Sequence, residues 1–404
     1  MRLLILSSEF PPGPGGIATH AYQLARHLIQ LGWEVTVITP QDYATDEEIR
    51  AFNHSQPFSI IRLRSVPTVP LLAIYRYIKV HSVIRHWRPD ILLASGDRAI
   101  IMAACITRQF RTPWLAVEHG RIPPRWERPL KRWAFRQATG VVCVSRYTWQ
   151  RMLAMGIRPR LGRVIPNGAD PTRFKILSSR EINECRKKLG LDGARVVLTV
   201  GNVTERKGQD VIIRALPKVL ARVPNAHYVM AGLPTAKEQF ERLAGQLGVA
   251  DHVHFLGRVD TETLVQLLNC CDIFAMTSKH VPTEFEGYGI AVVEAALCGK
   301  PAVVSSNSGL VEAVADGETA LVVPENDETA TAEAILSLLT DEVRRRAMGE
   351  AARRRALDEQ TWERRVREYD VFLRELLAQH SGKCKTAEGA EMAERSSSCP
   401  SCSS

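Results

Sequence analysis

The chain has 404 residues, 45% apolar and 24% charged, enough for two or three domains that each bury a core. No run reaches about 18 apolar residues, so a membrane-spanning helix is not expected. Met1-Arg2 followed by a short apolar run and Glu9 makes a poor secretion signal. Charge is uneven: residues 1–180 carry 26 Lys and Arg against 11 Asp and Glu, the remainder 27 against 33. The basic first half calls for an anionic partner, whether nucleic acid, a phosphorylated acceptor or a membrane surface.

Residues 2–8 read as a buried strand, followed by the glycine- and proline-rich turn 11–16. Residues 17–31 place Ala21, Leu24, Ala25 and Leu28 at helical spacing and stop at Gly32; 33–39 read as the next strand. Strand, turn, helix and strand in this order predict parallel pairing. The turn is not G-x-G-x-x-G and no acid closes the second strand, which disfavours a dinucleotide site and an NAD-dependent oxidoreductase. Gly15 and Gly16 serve either a tight turn or a close backbone approach to phosphate.

The alternation continues, with strands expected near 59–64, 90–95, 113–118 and 140–145 and helices near 70–87, 98–109, 129–138 and 147–155. His119 follows the strand 113–118, where parallel sheets place ligand contacts. In 121–136, Arg125, Arg128, Lys131 and Arg132 are interleaved with Trp126 and Trp133. That pattern fits an anionic membrane face, a phosphorylated acceptor, or a basic helix resting its indoles on the core. Pro166-Asn167-Gly168 turns the chain out of this half, and the charged stretch 172–193 reads as a connector. Strands resume at 195–201, 226–231, 252–256, 272–277, 301–305 and 320–323. A helix over 361–380 ends the ordered pattern, and the polar tail from Ser381 reads as disordered. Its Cys399 and Cys402 form a single CxxC, too few ligands for structural zinc. Cys105, Cys143, Cys270, Cys271 and Cys298 lie in apolar segments and read as reduced core residues of a cytoplasmic protein.

Two stretches carry chemistry. In residues 284–300, Glu286 and Glu294 flank Gly287-Tyr288-Gly289 and an apolar run. A helix opening after Gly289 places Glu294 about two turns inside, roughly 10 Å from Glu286 along the axis. Paired carboxylates of a retaining glycosidase stand only about 5 Å apart. The wider span suits the two ends of a long hydroxyl-rich ligand with an anion at the helix N-terminus between them, as in a nucleotide-sugar. Two solvated acids on a surface helix are the other reading. After strand 195–201 comes Gly201-Asn202-Val203-Thr204-Glu205-Arg206-Lys207-Gly208. Adjacent Arg206 and Lys207 make either a pyrophosphate clamp or a solvated surface doublet.

In combination and order, these motifs resemble the glycosyltransferases of family 4. The resemblance covers roughly residues 1–380 and includes Asp316 to Pro324 and the closing Trp362 helix. It implies an α/β GT-B fold, two Rossmann-like doubly wound domains facing a cleft. The first would span 1–171 with the returning helix 361–380. The linker would be 172–193, the nucleotide-sugar domain 194–360 and the tail 381–404. It further implies a retaining hexosyltransferase, mannosyl transfer among the options, moving sugar from a UDP-, GDP- or ADP-linked donor to a glycan or lipid-linked acceptor. Glu286 would hold donor hydroxyls and Glu294 the ribose. Lys207 with Arg206 would neutralise the diphosphate, helped by the backbone from Gly287 through Tyr288, Gly289 and Ile290. Gly15 and Gly16 would approach phosphate or acceptor, and His119 would face the sugar. Asn202 stands where the family usually has arginine, so that contact to the diphosphate is either lost or taken over by Arg206. No metal, further cofactor or nucleic-acid partner is implied; the absence of Asp-x-Asp fits that. A cytoplasmic enzyme peripheral to the inner membrane face follows, with a non-catalytic nucleotide-sugar-binding protein as the alternative.

Overall fold

The structure is a computed structural model that describes residues 1–40, 44–63 and 69–380. The Cys399/Cys402 pair and the tail lie outside the described residues. Thirteen described strands form two all-parallel sheets. The first contains β1 (Arg2–Ser7), β2 (Glu34–Pro40), β3 (Ser59–Leu63), β4 (Ile91–Ser95), β5 (Trp114–Glu118), β6 (Gly140–Cys143) and β7 (Gly162–Val164), in the order β3-β2-β1-β4-β5-β6-β7. The second contains β8 (Arg195–Val200), β9 (Ala226–Ala231), β10 (Val253–Phe255), β11 (Ile273–Met276), β12 (Ala302–Ser305) and β13 (Ala320–Val323), in the order β10-β9-β8-β11-β12-β13.

Continuous apolar runs form these strands because both sheet faces are covered. In β1, Leu3 and Ile5 pack with Ala21, Leu24 and Leu28 of helix Gly16–Gln30. Leu4 and Leu6 point the other way, into a layer with Val80, Ile84 and Ala103. The second sheet repeats this arrangement: Val196 and Leu198 share the first cluster, while Val197 packs with Ile212 and Leu216.

Strand order reverses between β1 and β4 in one sheet and between β8 and β11 in the other. At such points successive loops diverge to opposite sides and leave a crevice beyond the strand ends. The glycine turn follows β1, the Arg206-Lys207 loop follows β8, and the Glu286 loop follows β11.

Two helices were missed by the periodicity. Asp46–His54 and Ser179–Lys188 are short and polar, and the second lies within the stretch read as connector. Each opens on a reciprocal capping box, Thr45 with Glu48 and Ser178 with Glu181. The spacing was visible, but no apolar stripe accompanied it. Cys105 is exposed, against the expectation of a core thiol; the other free cysteines of the described residues are buried. Helix Asp97–Phe110 buries Ala104 and Ile106 around it, so Cys105 turns outward.

The last helix, Trp362–His380, packs on helix Gly16–Gln30. Trp33 Nε1 donates to Asp370 at 2.6 Å, and the Trp362 ring is 1% exposed. Trp362→Ala should therefore lower stability by about 3–5 kcal/mol, the range for emptying a buried aromatic site. A thermal melt within a degree of the parent protein would contradict this packing role.

Candidate active site

Lys207 and Arg206 stand on a single turn, Glu205–Lys207, between β8 and helix Gln209–Leu220. Gly208 ends that turn with φ +68°, and a Cβ there would collide with the Thr277 carbonyl, so the loop can close only on glycine. The turn aims both cations at Glu286. Lys207 Nζ lies 2.7 Å and Arg206 Nη1 2.6 Å from Glu286 Oε2. Arg206 Nε also reaches Glu284 at 3.0 Å. Burial would push the Glu286 carboxyl up; Lys207 and Arg206 outweigh it and hold it down at about 2. Burial also lowers the Lys207 ammonium, even against its carboxylate partner.

Glu286 therefore meets the basic pair directly. The family resemblance had set the carboxylate at the sugar hydroxyls and the cations at the diphosphate, without a contact between them. Glu284, which also holds Arg206, was missed. The Glu-Phe-Glu repeat marked it, but only the fold shows which carboxylates reach the loop after β8.

Helix Ile290–Leu297 begins at Gly289 without a side-chain cap or an acid in its first turn. Its leading N–H groups are available to an anion. Glu294 is its fifth residue, one turn inside rather than two. Among the described residues the Glu294 side chain has no hydrogen-bond partner, and burial pushes its carboxyl up to about 7 with only Arg173 in opposition. A carboxyl raised in the folded protein costs stability as pH climbs from the ordinary carboxylate range toward about 7.

From the first half, Gly15 and Gly16 are exposed at the uncapped start of their helix, and Gly16 faces the Ile290 side chain. His119 lies beside the same loop: a Cβ on Gly287 would run into the His119 carbonyl. Its Nε2 meets Ser95 Oγ at 2.9 Å, and burial draws the imidazole down to about 4, leaving it neutral at physiological pH. Asn202 is exposed at the end of β8, its carbonyl accepting from Gln209 Nε2 at 3.1 Å. The two halves also touch around the cleft. Ile122 N donates to Thr283 O at 2.8 Å, and Glu312 accepts from the backbone N–H groups of Arg146 and Tyr147 at 2.8 and 2.7 Å.

Tyr288, expected among donor contacts, turns its ring into the core. It is 2% exposed, and its hydroxyl accepts from Gln360 Nε2 at 3.3 Å. Lys131 departs from the expected basic patch in the same way. It is buried, 2.7 Å from Glu118 and 3.1 Å from Asp97. A carboxylate buried at the end of β5 needs a cation more than the surface does. Trp133 is half-buried against the core, and Arg132 Nε donates to the Met155 carbonyl at 2.5 Å. Trp126 and Arg125 are exposed, and Arg128 is half-buried with its Nε donating to Pro123 O at 3.4 Å.

If Glu294 binds ribose hydroxyls as a carboxylate, kcat/KM for the donor should rise as pH passes through about 7, where the free-enzyme group ionises. Glu294→Gln should remove that limb. Superimposable profiles for the two proteins would refute the assignment.

The sequence model for Glycosyltransferase Family 4 matches residues 14–173, and that for Glycosyl transferases group 1 matches residues 181–355. Among curated relatives is a GDP-mannose-dependent alpha-(1-6)-phosphatidylinositol monomannoside mannosyltransferase of Mycolicibacterium smegmatis. It is 31% identical over 377 residues, covering 90% of this chain and 96% of that protein. A GDP-mannose-dependent monoacylated alpha-(1-6)-phosphatidylinositol monomannoside mannosyltransferase of Corynebacterium glutamicum is 29% identical over 374 residues, covering 90% and 95%. Among solved structures, Anabaena HepE in complex with UDP and glucose superimposes with a TM-score of 0.81 at 22% identity, covering 93% of this chain and 100% of that one. WaaG, a glycosyltransferase involved in lipopolysaccharide biosynthesis, gives 0.68 at 19% identity, covering 91% and 99%. With two parallel doubly wound sheets, both sequence models and a full-length relationship to these mannosyltransferases, the chain belongs to the family 4 glycosyltransferases of GT-B fold.

Proposed function

We propose that this glycosyltransferase moves a mannosyl group from GDP-mannose to a hydroxyl of a lipid-linked glycan, with retention of the anomeric configuration. The carrying observation is the grip of Arg206 and Lys207 on Glu286 beside an uncapped helix N-terminus and His119. The mannosyl donor and glycolipid acceptor draw support from the printed activities of the relatives.

In the proposed step the donor diphosphate lies at the start of helix Ile290–Leu297, within reach of Lys207 and Arg206. The sugar hydroxyls take up Glu286, and the ribose hydroxyls take up Glu294. The bond from the anomeric carbon to the diphosphate oxygen breaks while the acceptor oxygen bonds to the same face. The acceptor proton passes to the departing diphosphate. Charge develops on that leaving group, so fixed cations and backbone dipoles supply the largest part of the rate. Closure of the two halves limits hydrolysis of the donor.

The membrane surface belongs to this proposal. No helix of the described residues is long and apolar enough to cross a membrane. Helix Val69–Trp87, however, exposes Leu71, Ile74 and Ile78 on one face, at 57%, 55% and 58%. The helix contains no acidic residue, and its Lys79 and Arg85 are exposed. Trp126, 77% exposed, and Leu130 add apolar surface near Arg125. Apolar side chains flanked by cations suit an anionic lipid interface.

Lys207→Ala should lower kcat by about 10²–10³-fold, the scale of one lost electrostatic contact to the transition state. Steady-state kinetics giving a near-normal rate would reject the mechanism. Calorimetry showing GDP-mannose affinity, with no transfer across an acceptor panel, would instead favour a binding protein. Sedimentation with anionic liposomes should be strong at low salt and fall as salt rises, and Ile74→Glu with Ile78→Glu should weaken it. Equal pelleting of parent and variant would remove this face from the interaction.

A further inference from the structure

We propose that His20, fixed by Tyr369, is a positioning residue for His119. His20 lies one turn into helix Gly16–Gln30, below the exposed glycines that open it. It is wholly buried, and its Nε2 meets the Tyr369 hydroxyl at 2.9 Å. Its ring stands against that of His119 with centroids 4.8 Å apart and planes at 79°. Trp362 closes a third side at 5.9 Å and 66°.

This cluster has a feature that plain packing does not need. Among the described residues, His20 Nδ1 is buried without a hydrogen-bond partner. A buried polar nitrogen is costly unless something compensates it, and an apolar side chain would fill the same volume without that cost. An edge-to-face imidazole is a neighbour that a ring N–H can address. The Tyr369 hydroxyl pairs with His20 Nε2 in either tautomer, and that contact fixes the plane in which the His20 ring meets His119.

His119 has few other restraints. Among the described residues Ser95 Oγ is its one side-chain hydrogen-bond partner, and one such bond leaves the ring free to turn about it, so the His20 contact adds a restraint on the ring plane. Burial and the neighbouring imidazole keep His20 neutral, and His119 is neutral too, so the two rings do not repel. Tyr369 belongs to helix Trp362–His380, which reaches the first half after the chain has built the second. Docking of that helix is thereby tied to the histidine ring at the cleft. This inference rests on the reading in which His119 faces the donor sugar.

Tyr369→Phe deletes the hydroxyl and keeps the ring. In the full-length protein without donor, the His119 ring nitrogen signals should shift in this variant by NMR. Unchanged signals would overturn the proposal whatever the activity. In transfer assays Tyr369→Phe should lower kcat about 5-fold, the scale of one hydrogen bond, with donor KM nearly unchanged. In a His119→Ala background the same substitution should have no further effect on kcat. An equal loss in both backgrounds would mark Tyr369 as merely structural and overturn the proposal. His119→Ala with an unchanged kcat would instead sink the donor-contact reading, while a shifted ring signal would still support the positioning contact.

Discussion

The site depends on one ion cluster, a carboxylate held by two cations at the bottom of a cleft. Taking Glu286, Lys207 and Arg206 out of water is expensive, and their mutual attraction offsets that only because the contacts are short and direct. The cost explains why both cations come from one tight turn. Gly208 forces that turn against the Thr277 carbonyl, at the end of the neighbouring strand. Glu286 keeps its charge through the physiological range. Its stabilising contribution is lost only as pH falls from the ordinary carboxylate range toward about 2. The carboxylate therefore holds both basic side chains in place before any donor arrives.

A second buried ion set has a different role. Lys131, Glu118 and Asp97 sit beneath the corner where His119 leaves β5. Glu118 also accepts from the backbone N–H groups of Gly120 and Arg121 at 2.9 and 3.3 Å. The corner is thus braced from below by charge and, in the inference above, from the side by His20. Across the cleft, Glu312 gives the helix Arg146–Ala154 a carboxylate that its own half does not supply. Both halves therefore contribute to the shape of the site as well as enclosing it.

The motifs that were legible are those whose physics is local. Glycine 15, 16 and 289 mark the starts of helices whose N–H groups lack side-chain caps. Histidine 119 could be placed because parallel strands present their carboxyl ends to ligands. Two departures share one cause. Tyr288 was expected among the donor contacts and Lys131 in the basic patch, and both side chains point inward. A tyrosine among glycines and a lysine among arginines carry no sequence mark of direction; the core around Gln360 and the buried Glu118 decide it.

Sequence by itself determined the two-sheet α/β plan, because a strand covered on both faces must be apolar at every position and a covering helix must repeat near 3.6 residues. It also determined which loops carry cations, acids and glycines. Tertiary structure alone decided which of those groups meet. Residues 206, 207, 284 and 286 come together because β8 and β11 are neighbours where strand order reverses, and His20 finds Tyr369 because the last helix returns to the first. Spacing along a chain fixes periodicity, whereas distances between remote segments follow from strand order and packing, which no single stretch contains.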